Sequence, residues 1–100
     1  MIKYIYRVFH IMAGEMDKLL ERLKALSNEK RLQIVQFLRD QESCCVGELV
    51  DKLGYDQPCI SHCLAILRQV GLVRGRREGK YVHYSLDKES YEEVKEMLRR

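Results

Sequence analysis

"GELVDKLGYDQPCISHCLAILRQVG", residues 47–71, decides the fold expected for this chain. A short amphipathic segment at 47–53 is followed by Gly54, and glycine is typical of the position just after a helix. Asp56 suits the N-cap of the next helix, and Pro58 is tolerated in its first turn. Because a tight turn separates a short helix from a longer one, the stretch predicts a helix-turn-helix unit.

The next segment, "LVRGRREGKYVHYSL" at 72–86, changes from a helical to an alternating pattern. Val82, Tyr84 and Leu86 alternate with more polar neighbours, as expected for a half-buried strand. Gly79 lies between two such stretches, which is a hairpin signal. The sequence therefore predicts a β-hairpin directly after the helix-turn-helix unit, in the position of a wing.

The segments on either side have the pattern of amphipathic helices. Predicted helices cover 14–26, 29–39 and 88–99, with Ser27 or Asn28 as the cap of the second. The vicinal cysteines before Val46 predict a short extended piece. The expected fold class is mainly α with a small β-hairpin wing (α+β), a winged helix-turn-helix in one domain that spans residues 1–100.

The composition fits a small globular protein that gains stability from a partner subunit. The chain has 100 residues, of which 46% are hydrophobic and 33% are charged. A domain of this size buries a modest fraction of its surface, so a shared dimer core would help. No apolar run approaches the ~18 residues that a membrane span needs. Residues 1–16 make a poor signal peptide, and Met12 or Met16 is an alternative start.

The net charge of +3 is concentrated between residues 68 and 80. Five basic residues lie there against one acid, Glu78; they are Arg68, Arg74, Arg76, Arg77 and Lys80. Such a local cluster is the electrostatic footprint expected of a phosphate-binding surface. The charge alone is equally consistent with an ordinary solvated loop.

Four motifs together resemble the ArsR/SmtB family of bacterial arsenic- and metal-responsive repressors. They are "LKALSNEKRLQIVQFL", "VGELVDKLG", "QPCISHCLAILRQVGLV" and "RREGKYVHYSL", in family order and at family spacing. The resemblance implies a homodimeric winged-helix repressor that releases operator DNA when an inducer binds. It also implies that the first and last helices form the dimer interface. Residues 1–13 are then an N-terminal extension, 47–71 the helix-turn-helix, 72–86 the wing and 88–99 the dimerisation helix.

The predicted DNA contacts come from the second helix of this unit and from the wing. At about 100° per residue, Ser61 and His62 lie on the side away from Ile60, and Gln57 lies near the helix tip. Gln57, Ser61 and His62 can bond base edges or phosphates, although His62 is also compatible with an ordinary surface histidine. Phosphate contacts are predicted for the wing residues Arg74, Arg76, Arg77 and Lys80. A two-fold dimer predicts a pseudo-palindromic operator.

Four cysteines surround the DNA-reading unit: Cys44, Cys45, Cys59 and Cys63. Cys59 and Cys63 are four residues apart on one flank of a helix, so their sulfurs can converge. Thiolate pairs suit soft ions such as As(III), Sb(III), Cd, Pb, Zn or Cu(I), whereas a direct disulfide within a helical turn would be strained. Some or all of the four therefore bind a soft metal or metalloid, form a redox or reactive-sulfur switch, or are inert buried thiols.

The cysteines depart from the metal sites that the resemblance implies. The family's best-known arsenic site has three cysteines at positions that correspond here to Cys45, Gly47 and Val50, of which only the first matches. The family's zinc site on the last helix needs histidine, and residues 87–100 contain none. The leading expectation is still a soft-metal or metalloid inducer such as As(III).

The sequence favours a regulator over an enzyme. His62 and Cys63 are adjacent on a helix and point about 100° apart, so they do not form a nucleophile–base pair. No cofactor is expected to be required for DNA binding. The resemblance implies a DNA-binding repressor. A cytoplasmic location is expected because four cysteines without a secretory signal suggest a reducing compartment. The alternatives are a thiol redox or reactive-sulfur responsive repressor and a DNA-binding regulator with no inducer.

Overall fold

The computed structural model describes the backbone of residues 2–99 and the side chains of residues 14–99. The chain order is α1 (Ile2–Leu26), α2 (Glu29–Arg39), α3 (Val46–Leu53), α4 (Gln57–Gln69), β1 (Val73–Glu78), β2 (Tyr81–Leu86) and α5 (Lys88–Arg99). A helix-turn-helix made of α3 and α4 is followed by a two-stranded antiparallel hairpin. This arrangement confirms the predicted winged helix-turn-helix fold class.

Local capping residues set the ends of the central helices. The Asn28 side chain, and not that of Ser27, caps α2 by accepting from the Arg31 backbone N–H at 3.2 Å. The Asp56 side chain caps α4 by accepting from the Cys59 backbone N–H at 2.9 Å. Gly54 ends α3 in the left-handed conformation, at φ 78°, where only glycine is free of strain. The turn between α3 and α4 is therefore fixed by local chemistry.

Helix α1 is longer than the helix predicted over 14–26. It begins at Ile2 and has 25 residues, so most of the predicted N-terminal extension is helical backbone. Gly14 lies inside this helix, where a glycine costs only about 1 kcal/mol relative to alanine. The side chains of residues 1–13 lie outside the described part of the structure. No helix of the described residues is long and apolar enough to cross a membrane.

The core lies where α2, α3 and α4 meet the base of the hairpin. It is lined by Ala25, Ile34, Val35, Leu38, Cys44, Leu49, Ile60, Cys63, Leu64, Leu67, Leu72, Val73 and Leu86. Four of these residues lie on α4, which spaces them along the side that packs inward. The opposite side of α4 is consequently presented to solvent.

The hairpin is tied back to the helix-turn-helix by a short third segment. Strand β1 pairs with β2 from Val73–Leu86 at the base to Glu78–Tyr81 at the tip. The Cys44 N–H donates to the Tyr84 carbonyl at 2.8 Å, and the Tyr84 N–H donates to the Cys44 carbonyl at 2.7 Å. The predicted extended piece before α3 is thus a single β-bridge to β2. It joins the start of α3 to the middle of the wing.

Candidate nucleic-acid interface and thiol pairs

The exposed side of α4 carries the three predicted base-reading residues. Gln57, Ser61 and His62 are all solvent-exposed, in the first half of the helix. On the other side, Ile60 and Leu64 are essentially fully buried and hold the helix to the core. None of the three polar side chains bonds to another side chain or backbone group of the described residues. Their hydrogen-bonding groups are therefore available to a ligand such as DNA.

The four predicted wing residues are also exposed, but their surroundings differ. These exposed wing residues are Arg74, Arg76, Arg77 and Lys80. Arg74 forms an ion pair with Asp87 at 2.9 Å at the base of the hairpin, and Arg76 forms one with Glu78 near the tip. Arg77 has no carboxylate partner within the described residues, and the Lys80 Nζ lies 5.7 Å from the Tyr81 ring centre. Arg77 and Lys80 are thus the cations most available to phosphates.

Asp87 anchors the base of the hairpin to the last helix. Burial alone would raise its pKa, but the Ser90 N–H, at 3.1 Å, and the Arg74 guanidinium outweigh that effect. Together they hold the pKa of Asp87 below its ordinary value. The carboxylate is therefore charged at neutral pH, and it draws Arg74 towards α5.

The hairpin tip contains an acid whose role the sequence did not predict. Glu78 pairs with Arg76, and its Oε2 lies 3.6 Å from the His83 Nε2. The strand register places Arg76 opposite His83, so both approach the same carboxylate. Sequence reasoning recognised Glu78 only as the one acid of the basic segment, because its contacts depend on this register.

Cys59 and Cys63 form an adjacent pair on α4, as predicted from their spacing. The flank they share is more deeply buried than expected, since Cys63 belongs to the core with 4% exposure and Cys59 is half-buried. Burial raises the pKa of the Cys63 thiol, the neighbouring Cys59 adds to this, and Arg31 and Lys30 oppose it. Cys63 is therefore predominantly a protonated thiol at neutral pH.

Cys44 and Cys45 occupy different environments although they are adjacent in sequence. Cys44 is fully buried beside Tyr84, and burial, followed by the charges of Glu48 and Cys45, raises the pKa of its thiol. Cys45 is half-buried at the N-cap of α3, where its backbone N–H donates to Glu48 at 3.2 Å. Its Sγ lies 3.4 Å from the same carboxylate oxygen.

The structure does not bring the two cysteine pairs into one metal site. Among the residues it describes, no group of three or more His, Cys, Asp or Glu side chains is placed to hold a metal ion. One pair lies on α4 and the other spans the β-bridge and the N-cap of α3. Any ligand bound by this chain through Cys59 and Cys63 therefore receives two sulfurs.

An arginine distant in sequence from the helix-turn-helix also contacts it. The Arg22 Nε donates to the Val70 carbonyl at 3.0 Å, and its Nη1 donates to the Glu93 Oε2 at 3.0 Å. These contacts join α1 to the end of α4 and to α5. No local pattern could have revealed them, because 48 and 71 residues separate the partners.

Comparison with known proteins agrees with this geometry. The family model described as bacterial regulatory protein, arsR family, matches residues 28–74. The transcriptional activator HlyU of Vibrio cholerae is 44% identical over 78% of this chain and 71% of its own length. This chain belongs to the ArsR family. It is accordingly a DNA-binding transcriptional regulator of the helix-turn-helix type, and not an enzyme.

Other similar proteins differ in their named roles, and those with solved structures share the fold. The arsenical resistance operon repressor of Escherichia coli is 43% identical over 67% of this chain and 57% of its own length. The solved structure of reduced HlyU from Vibrio cholerae has a TM-score of 0.72 at 37% identity, and covers 88% of this chain and 93% of that one. A homodimeric winged helix-turn-helix domain from Mycobacterium bovis, described as a possible ArsR-family regulator, has a TM-score of 0.72 at 31% identity. It covers 86% of this chain and 76% of that one.

Proposed function

We propose that this ArsR-family protein is a cytoplasmic transcriptional repressor that binds a pseudo-palindromic operator as a homodimer. An inducer that binds the Cys59 and Cys63 thiols releases it from DNA. The single observation that carries the proposal is that α4 presents both features at once. Its exposed side offers Gln57, Ser61 and His62, and its flank holds the adjacent thiol pair.

The proposed DNA contacts follow from the exposure and charge of two elements. Gln57, Ser61 and His62 would enter the major groove, because the first residues of such a helix contact base edges. Arg77 and Lys80 would hold phosphates, assisted by Arg76 and Arg74 when the phosphate competes with their carboxylates. Specificity is therefore assigned to α4 and most of the electrostatic affinity to the wing.

The proposed dimer would form through α1 and α5. Met16 and Leu20 on α1 and Leu98 on α5 are large apolar side chains with 50%, 44% and 67% exposure. Apolar side chains exposed together on adjacent helices are typical of a subunit interface. The homodimeric relative from Mycobacterium bovis, with the same fold, supports this arrangement.

The proposed inducer is a soft metal or metalloid, such as As(III), that two thiolates can bind. Ligation requires both thiols to lose their protons, so the raised pKa of Cys63 makes binding weaker at lower pH. Because Cys63 is packed in the core, pulling its sulfur towards Cys59 would disturb the packing of α4. A coupling of about 1–3 kcal/mol between the two sites would change operator affinity about 5–150-fold.

A second candidate signal is oxidation or sulfuration of the same thiols. One solved structure of HlyU is described as the reduced protein. Because that description names the redox state of the relative, it favours this alternative. The half-buried Cys59 would react first, because the thiolate is the reactive form and burial disfavours it at Cys63. A sulfur-bridged product would suit the helix better than a direct disulfide.

Fluorescence-anisotropy titration on the DNA upstream of the protein's own gene tests the proposal. As(III), Cd(II), Zn(II), Cu(I), polysulfide and peroxide are added in turn to the wild type, to Cys59→Ser/Cys63→Ser and to the control Cys45→Ser. A soft ion should release the wild type and the control from DNA and leave the double variant bound. Release by polysulfide or peroxide alone would select the second candidate.

Two other outcomes would contradict the proposal. If the double variant and the wild type respond identically to every compound, the α4 thiols are not the sensor. Transcription in vitro from the same promoter tests the direction of regulation, which is relevant because the relative HlyU is named an activator. Added protein should lower the transcript yield. A rise in transcript yield would show that this chain is an activator, as HlyU is named, and not a repressor.

A further inference from the structure

Arg22 joins the end of α4 to the two helices of the proposed dimer interface. Its side chain is only 15% exposed. From α1 it donates to the carbonyl of Val70, the C-cap of α4, and to the Glu93 carboxylate on α5, both at 3.0 Å. One guanidinium thus contacts a DNA-reading helix and a neighbouring interface helix at the same time.

The C-terminus of α4 is chemically suited to this contact. The last carbonyls of a helix have no partner within the helix, and the helix dipole places negative charge at that end. A guanidinium has several donors in a fixed plane, so it can bond Val70 and Glu93 together. At Gly71, which has φ 81°, an added Cβ would lie 3.4 Å from the Arg22 Nη2, so the guanidinium also lies close to the turn after α4.

We infer that Arg22 is a positioning residue that sets where α4 lies relative to the dimer interface. This inference rests on the proposed dimer through α1 and α5. In such a dimer, the distance and angle between the two α4 helices depend on how each is attached to its own α1 and α5. Arg22 therefore selects the half-site spacing at which both α4 helices fit DNA, without contacting DNA itself.

The variants are chosen to remove one connection at a time. Arg22→Gln removes the charge and the double contact, and Arg22→Lys keeps a cation but has no second nitrogen with which to reach Glu93. Glu93→Gln weakens the connection to α5 and leaves the Val70 contact. The matched control is Arg39→Gln, because Arg39 pairs only with its exposed neighbour Asp40 among the carboxylates of the described residues.

Binding is measured on DNA selected from a random pool by the wild type. The probes carry two half-sites at the selected spacing, two half-sites shifted by one to five base pairs, or one half-site. With Arg22→Gln, we expect affinity for the selected spacing to fall about tenfold, within the range of typical coupling between sites. Affinity for one half-site should stay within about twofold, and the preference for spacing should become broader. The affinities of Arg22→Lys and Glu93→Gln for the selected spacing should lie between those of Arg22→Gln and the control.

Three results would overturn the inference. Unchanged spacing preference in Arg22→Gln would show that the contact does not position α4. Equal losses on one and two half-sites, with a matching loss of folded protein in urea, would show a merely structural role. Loss of the dimer by light scattering would show that Arg22 holds the subunits together and does not orient α4.

If the proposed function itself is wrong, the wild type already fails to bind as expected, whereas a wrong inference about Arg22 changes only the result with the variants. A wild type that binds one and two half-sites equally would overturn the proposed dimeric recognition. Hydrogen exchange then still tests the contact within one subunit. In Arg22→Gln, the amides of Gly71 and Leu72 should exchange about tenfold faster than in Arg39→Gln, since local opening of the α4 end would cost less. Unchanged exchange would overturn the positioning role itself.

Discussion

Helix α4 and the β1–β2 hairpin together form the proposed DNA-binding surface, but different interactions attach each of them to the rest of the protein. Four buried side chains fix α4 to the core, and its exposed predicted contacts are polar. The hairpin beyond its base has no fully buried side chain, and it is held by the Cys44 bridge and the Asp87 ion pair. The difference separates two tasks. A rigid helix can read bases, whereas an exposed, charged hairpin can adapt to a phosphate backbone.

The largest expected effect tests the dependence of α4 on the core. Leu64→Ala should lower the free energy of unfolding by about 2–5 kcal/mol, because it removes a fully buried side chain and leaves a cavity. Val82→Ala in the half-buried part of the hairpin should cost about 1 kcal/mol, since a half-buried side chain outside the core loses less buried apolar area. Urea denaturation followed by circular dichroism measures both. An equal or larger cost for Val82→Ala would contradict the comparison.

The next effect separates base reading from phosphate binding. Gln57→Ala should weaken operator binding by about 1–3 kcal/mol for each subunit and leave non-specific DNA binding unchanged. Arg77→Ala removes one phosphate contact from each subunit of the dimer, so it should weaken binding to every sequence and reduce the slope of log K against log salt by about 1.8. Anisotropy titrations at several salt concentrations, on operator and scrambled DNA, give both quantities. The division of tasks is wrong if Arg77→Ala changes the preference between these two DNAs.

A smaller effect concerns the attachment of the hairpin at Asp87. Because the pKa of Asp87 is lowered in the folded state, its stabilising contribution is present above its unfolded pKa of about 4. That contribution is lost as the pH falls through the lowered value. Asp87→Asn keeps an oxygen that can accept from the Ser90 N–H but removes the charge, so it should reduce stability at neutral pH by about 0.5–1 kcal/mol, the range for a charge at a helix N-terminus or in a surface ion pair. The variant and the wild type should converge in acid.

Urea midpoints at several pH values between 7 and acid check the Asp87 prediction. The control is Glu42→Gln, an exposed carboxylate with no ion-pair partner among the described side chains. A constant difference between Asp87→Asn and the wild type across the whole range would show that the Asp87 charge is not involved.

The smallest expected effect concerns the acid at the hairpin tip. Glu78→Gln should free Arg76 for phosphates and increase DNA affinity by about 0.2–1 kcal/mol, the range typical of an exposed ion pair. Glu42→Gln makes the same charge change far from the tip in sequence and serves as the control for overall charge. If both variants gain DNA affinity equally, the ion pair between Arg76 and Glu78 does not limit binding.

The features that sequence reasoning predicted are those encoded by nearby residues. Asp56, Gly54 and the alternation in β2 act within a few positions, and each structure element they predict is present. The contacts of Arg22 and the burial of Cys63 were missed or underestimated. They depend on which distant helices pack together, and neither periodicity nor residue type specifies that packing. The exposed residues of α4 could be identified from helical geometry, but their role on DNA remains a prediction.

Because Cys44 forms the β-bridge to the wing, the reactivity of its thiol can report when the wing separates from the helix-turn-helix. The thiol of Cys44 is fully buried beside Tyr84, whereas its neighbour Cys45 is half-buried. A thiol-specific reagent should therefore modify Cys45 rapidly and Cys44 only when the bridge separates and the wing detaches. The ratio of the two labelling rates measures how often the wing leaves the helix-turn-helix, and DNA that holds the wing in place should slow the modification of Cys44.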